Sequence, residues 1–269
     1  FVEVLRPNVV VLENVPGILT IQKGFIVSEL FKAFKRLGYR GIVKILDASW
    51  FGVPQRRRRV FLVWWKKGVA STGPFADWQS TSSIKHKKEL TVKGALGDLP
   101  LVQPGEEKTS YEQPPLNNYQ KFMRAGVPIN GLRNHRAINH SDKMIERFKH
   151  IPPGKGMADV WDRIPNEAKP AKIYLARCRR LHPDFPSPTI TSHCLDELIH
   201  PYQNRQITPR EAARLQSFPD WYIFRGPFAN SHIHPISDQF EQIGAAVPPL
   251  LARGIAQEIR RWMLELNQK

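Results

Sequence analysis

The stretch "NVVVLENV", residues 8–15, is a short, nearly continuous apolar run rich in β-branched side chains that ends in polar Glu13 and Asn14. Without alternation of apolar and polar positions, it predicts a strand buried on both faces in a parallel sheet. Downstream, "FIVSELFKAFKRLGYR" spaces Phe25, Ile26, Leu30, Phe31, Phe34 and Leu37 along one helical face, and Gly38 stands where such a helix would stop. Two further runs, "GIVKIL" (41–46) and "RVFLVWW" (59–65), read as strands joined by "DASWFGVPQRRR". Strand, helix, strand is an α/β signature.

From about Lys66 to Pro188 the texture changes to scattered prolines, glycines and lysines with weak periodicity, which predicts a loop-rich lobe inserted after the sheet. "TPREAARLQSF" (208–218) restores a helix, with Thr208 as N-cap, Pro209 at the first helical position and Glu211 placed to close a capping box. The final "VPPLLARGIAQEIRRWMLEL" reads as a helix with Leu251, Ile255, Ile259 and Met263 on one stripe. The domain reading is therefore 1–70 for the sheet-forming part, 71–237 for the lobe and its connections, and 238–269 for a C-terminal helix returning to the first part.

Charge narrows the partner class. The 269 residues carry 40 Lys+Arg against 24 Asp+Glu, a formal net charge of +16, which favours a polyanion such as nucleic acid. No apolar run approaches the roughly 18 to 20 residues of a spanning helix. Two cysteines without a CxxC pair argue against a disulfide framework and against a common zinc module. A zinc site built from Cys178, His182, Cys194 and His200 would fit no familiar ligand spacing, so no metal is expected. The chain begins at Phe1, inside what reads as the end of a helix, and is expected to be a piece of something longer.

Glu13 falls at the carboxyl end of a strand, where ligands bind in α/β sheets, although a carboxylate there can equally cap a turn or pair with an arginine. "QRRRR" (55–59) places Arg57 and Arg59 two apart at the entry to a strand, so they point one way while Arg56 and Arg58 point the other. A pair aimed together can hold a ligand. The alternative is a solvated basic loop.

The segments "LENVPG", "QRRRRVFLV", "RQITPREAARLQSFPD" and "QIGAAVPPLL" resemble, in order and spacing, motifs of the DNA cytosine-5 methyltransferases. Weaker echoes are "TVKGALGDLP" (91–100), Asn134 with His135, "IPPG" (151–154) and "SPTIT" (187–191). The resemblance covers most of the chain and implies part of a doubly wound, Rossmann-like methyltransferase sheet plus a smaller target-recognition lobe. It also implies methyl transfer from S-adenosylmethionine to carbon 5 of a cytosine in double-stranded DNA, in a bacterial modification enzyme of the cytoplasm and nucleoid.

In such enzymes a cysteine thiolate adds to carbon 6 of the ring, and the developing charge must be quenched around it. The resemblance assigns Glu13 to the ring nitrogen 3 and exocyclic amine edge, with Asn14 helping to set it. Arg57 and Arg59 take the charge near oxygen 2 and the nucleophile. A stacked base could not reach such a pocket, so the target must be flipped out. Ala245 and Ala246 match the closing motif and imply backbone contacts to the cofactor, with Ala245 standing where asparagine is usual. Arg133, Arg136, Lys149, Lys155 and Arg205 are expected to contribute to DNA binding, with residues 156–181 as the variable reading segment. Arg205 and Glu211 also resemble the motif that organises the lobe.

The chain contains no Pro-Cys-Gln tripeptide and no glycine-rich cofactor loop, and its two cysteines fall in the lobe, where a buried, inert role is expected. The first half of the apparatus would come from the same chain upstream or from a separate subunit, and these residues alone are expected to transfer no methyl group. The competing reading is a non-catalytic duplex-DNA-binding subunit or decayed relative.

Overall fold

The run that follows the arginines is the central strand of the sheet. In a computed structural model that describes residues 1–70, 73–75, 89–173, 175, 177–229 and 237–266, β3 (Arg58–Lys66) lies between β1 (Val9–Asn14) and β2 (Tyr39–Asp47). The helices are α1 (Val2–Leu5), α2 (Phe25–Arg36), α3 (Val92–Leu96), α4 (Asn118–Met123) and α5 (Asp142–Lys149), followed by α6 (Cys194–Glu197), α7 (Pro209–Leu215), α8 (Gln239–Ala245) and α9 (Pro249–Leu266). The chain divides into one unit of Phe1–Gly52, Arg57–Lys87 and Leu250–Lys269, and a second of Val53–Arg56 and Lys88–Pro249.

The sheet corrects the reading of residues 8–15. Both ladders are antiparallel, β1 with β3 and β2 with β3, so β1 and β2 run parallel without being neighbours. It is β3 that is covered on both faces, with Val60 through Trp65 all buried, whereas Val11 and Leu12 of β1 are each 38% exposed. An unbroken apolar run says that neither face is polar. It carries no information about which strand is central or which way its neighbour runs.

Successive side chains on β3 serve opposite layers. Trp64 stacks on Phe34 of α2, with ring centroids 4.0 Å apart and planes 8° from parallel, and Phe31 packs beside them. Trp65 meets Trp262 of α9 edge to face. Helix α2 ends as expected, with Leu37 as C-cap and Gly38 at φ +85°.

The second unit is built around α7, every residue of which is buried. Thr208 caps it, Pro209 opens it, and Thr208 and Glu211 form the predicted capping box. Helices α3 and α8 pack against α7. A two-stranded parallel ladder joins β4 (Arg179–Arg180) and β5 (Leu198–Ile199). A separate apolar cluster gathers Phe148, Ile151, Met157, Val160 and Ile164. The expected looseness of the lobe is realised as short helices tied by side-chain hydrogen bonds, with that two-residue ladder as a small addition.

Candidate functional site

Register places the first two candidate residues. Glu13 faces Phe61 across the β1–β3 ladder, so Arg59, two residues earlier on β3, is its diagonal neighbour on the same face. The long side chains close that gap: Arg59 Nε lies 3.1 Å from a Glu13 carboxylate oxygen, with the two side chains 12% and 27% exposed. Arg59 also donates from Nη1 to the carbonyl of Arg58. Burial lowers the Arg59 pKa from its ordinary value, while Glu13 opposes the shift by charge and hydrogen bond. The pair is thus mostly withdrawn from water, with Glu13 the more exposed of the two.

Burial alternates through the arginine run as a strand demands. Gln55 and Arg57 are buried, Arg56 and Arg58 are exposed, and Arg59 is intermediate. Arg57 is 1% exposed, and its backbone N–H donates to Asp47 Oδ1, which also caps the turn after β2 by accepting from Ser49. Asp47, unremarked in the sequence, therefore fixes where the arginine segment enters β3. Asn14 sits on the opposite face of β1 from Glu13, and its Oδ1 accepts the backbone N–H of Val15. Its observed contact turns the chain after the strand and does not orient Glu13.

Within the second unit, Gln55 is fully buried and spans two segments distant in sequence. Its Nε2 donates to Leu215 O and Gln216 Oε1 at the end of α7, while its Oε1 accepts from Ile190 N. The neighbouring "SPTIT" segment bridges Gln55 through Ser187. Only the quoted motif marked Gln55, and no local signal revealed what it holds.

The weaker echoes also prove to be anchors. His135 donates from Nε2 to Pro100 O, and burial favours the neutral ring, so Nδ1 accepts from the Thr208 hydroxyl, whose oxygen in turn accepts from Glu211 N. Asp98 of "TVKGALGDLP" binds buried Arg214, which also forms a two-point pair with Asp220. Gly244 of the closing motif has no room for a side chain, since a Cβ there would lie 2.0 Å from Thr191 O. Ala245 next to it is exposed and Ala246, the C-cap of α8, is half-buried.

The DNA-binding candidates divide. Arg133, Arg136 and Lys155 are exposed. Arg136 rests over the Phe228 ring, and Lys149 is occupied by Glu146 at 2.7 Å. Arg205 is a correction: it is 1% exposed and grips Glu211 at 2.8 and 2.7 Å, with further bonds to Val102 O and Gln206 O. A guanidinium so enclosed does not reach a phosphate. Burial pushes the Glu211 carboxyl up, but Arg205 and its surroundings outweigh this and hold it far below the usual carboxylate range. Residues 174 and 176 of the expected reading segment lie outside the described residues. Cys178 and Cys194 are both buried. Among the described residues, no group of three or more His, Cys, Asp and Glu is arranged to hold a metal ion, and no helix is long and apolar enough to cross a membrane.

Residues 1–261 match the family model described as C-5 cytosine-specific DNA methylase. The chain is 33% identical over 280 residues to the type II methyltransferase M.DdeI of Desulfomicrobium norvegicum, an alignment covering 99% of this chain and 66% of that protein. It is also 33% identical to M1.HphI of Haemophilus parahaemolyticus, covering 96% and 58%. A crystal structure described as a DNA modification methyltransferase encoded within an Escherichia coli prophage superposes with a TM-score of 0.69 at 26% identity, covering all of this chain and 72% of that one. The chain thus spans about three fifths to two thirds of the two curated relatives.

Proposed function

The chain belongs to the C-5 cytosine-specific DNA methylase family, and from that premise we propose that it forms part of an enzyme methylating carbon 5 of a cytosine extruded from duplex DNA. The observation that carries this reading is the Glu13–Arg59 pair at the strand ends. In its protonated form Glu13 donates to ring nitrogen 3 and accepts from the exocyclic amine, holding the pyrimidine edge in its reactive protonation state. Arg59, gripped through Nε and Nη1, turns Nη2 to the ring carbonyl, and buried Arg57 adds fixed positive potential where charge develops. Asn14 shapes the turn beyond Glu13.

S-adenosylmethionine fits one part of the second unit. Ala245 is exposed, both side chains at 245 and 246 are single methyl groups, and Gly244 fixes the end of α8 against Thr191, so a ligand can approach the backbone there. When bound, that cofactor supplies the methyl group. The glycine-rich loop and the nucleophilic cysteine are assigned to polypeptide upstream or to a second subunit. We assign 1–70 and 238–269 to a doubly wound catalytic domain and 71–237 to recognition, with Arg133, Arg136 and Lys155 on phosphates.

The test is Glu13→Gln in the intact protein. DNA affinity should stay within about three-fold while the single-turnover rate falls by roughly 10²- to 10⁴-fold, the usual worth of a general acid. Equal rates would remove Glu13 from the chemistry. A second reading, duplex binding without transfer, rests on the lack of a Pro-Cys-Gln loop among these residues. It requires that intact protein with saturating cofactor leave DNA unmethylated.

A further inference from the structure

Within the second unit, α5 and the segment 156–181 line a cavity of about 240 Å³, below the roughly 300 Å³ of drug-sized sites. Met144 and Met157 supply apolar lining, Arg147 and Gln206 polar lining, and exposed Lys172 and Arg177 complete it. Neither Glu13 nor Arg59 takes part.

Two buried polar side chains meet this space with bonding capacity to spare. Arg147 is 9% exposed, and its Nε donates to Ala168 O at 2.9 Å. Its two terminal nitrogens make no hydrogen bond or ion pair among the described residues. Gln206 is 3% exposed. Its backbone N–H donates to His140 and its carbonyl accepts from Arg205, but its side-chain amide has no partner among the described residues. Buried charges are ordinarily paired and buried amides bonded, because a desolvated polar group left alone costs free energy. Yet among the described residues that line the cavity there are three cations and no carboxylate. An anion satisfies both side chains at once.

The donors narrow the choice of anion. Anchored through Nε, the Arg147 guanidinium keeps Nη1 and Nη2 as a planar fork suited to two oxygens of one group. The Gln206 amide and the Lys172 ammonium add donors from two other segments. A carboxylate has only two oxygens to offer them, whereas a phosphoryl group has three or more around a tetrahedral centre. We propose that this cavity binds a phosphoryl oxyanion, held by Arg147 and Gln206 with Lys172 at the rim. A phosphodiester of the DNA backbone and a free phosphate ester share that chemistry. Base edges lie inside the grooves of a duplex and do not enter a cavity of this kind. The first source rests on the DNA reading above, and the second does not.

The test uses inorganic phosphate as probe, on intact protein labelled with carbon-13 at its methionine methyl groups. This chain has four methionines, and Met144→Leu and Met157→Leu assign the two that line the cavity. Phosphate should move both signals saturably and leave those of Met123 and Met263 in place. Trimethyl phosphate, which is neutral, should bind at least about ten-fold more weakly, and Arg147→Gln should weaken phosphate by a similar factor, the worth of a hydrogen bond to a charged group. Cavity signals that stay still, or a neutral ester that binds as tightly as phosphate, overturn the proposal, and neither comparison needs a variant to fold. Unchanged affinity in folded Arg147→Gln protein overturns it as well. Duplex DNA that moves the same two signals, and is displaced from them by phosphate, identifies the backbone as the source. Duplex that leaves phosphate binding unaltered identifies a free phosphate ester. No arm depends on methyl transfer, so failure here is distinct from failure of the catalytic reading.

Discussion

His200 shows how burial decides the charge state of a single residue. Its Nδ1 receives the backbone N–H groups of Tyr202 and Gln203, so that nitrogen must be the unprotonated one, and its Nε2 lies 3.7 Å from a Glu211 oxygen. A second proton would have to enter between two donors already aimed at the same lone pair. Burial first, with Arg205 adding to it against the pull of Glu211, depresses the His200 pKa to about 3. An unfolded histidine titrates near 6.5, so between about pH 6.5 and about 3 the unfolded chain binds a proton that the folded one refuses. Stability from this group is therefore complete above the unfolded value and is lost as pH falls through that window. The urea midpoint is expected to drop between pH 7.5 and pH 5. His200→Asn, whose Oδ1 can accept the same backbone donors, should flatten that drop. An equal drop in the variant would place the acid sensitivity elsewhere.

At the scale of elements, α9 separates what local pattern tells from what it does not. A stripe stepping strictly by four, through Leu251, Ile255, Ile259 and Met263, advances 400° per step and drifts around the helix. The buried set is Leu251, Ile255, Glu258 and Trp262, which alternates steps of four and three and so holds one face. Trp262→Ala is accordingly expected to cost about 3–5 kcal/mol, the range for large buried aromatics, whereas Met263→Ala, at a position 39% exposed, should stay within about 0.5 kcal/mol. Equal losses in urea melts would mean that the stripe reading was right after all. Helix α7 was legible to the residue because Thr208, Pro209 and Glu211 act within one turn. The place of β1 at an edge and β3 at the centre was not, since strand order depends on partners far along the chain. The reach of Gln55 to Gln216, 161 residues away, is of the same kind. The Glu13–Arg59 pairing was half legible: parity set the face of Arg59, but only the ladder register could make it a diagonal neighbour of Glu13.

For the whole molecule, the +16 formal charge is a statement about association, and the structure decides which cations can take part. Arg205 and Arg214, both at most 1% exposed and both bound to carboxylates, contribute to that sum without presenting a charge to a ligand. Lys155, Arg133 and Arg136 are exposed and can displace counterions from a phosphate backbone. Each phosphate contact contributes roughly 0.9 to the slope of log affinity against log salt concentration, largely independent of DNA sequence. Lys155→Ala in the intact protein is therefore expected to weaken binding to specific and unrelated duplexes alike and to make the slope shallower by about one. Arg205→Ala should instead lower the unfolding midpoint, because it strands buried Glu211 without its partner. A salt slope unchanged by Lys155→Ala, measured from 50 to 200 mM salt, would remove that lysine from the DNA-facing set and leave the basic excess to other faces.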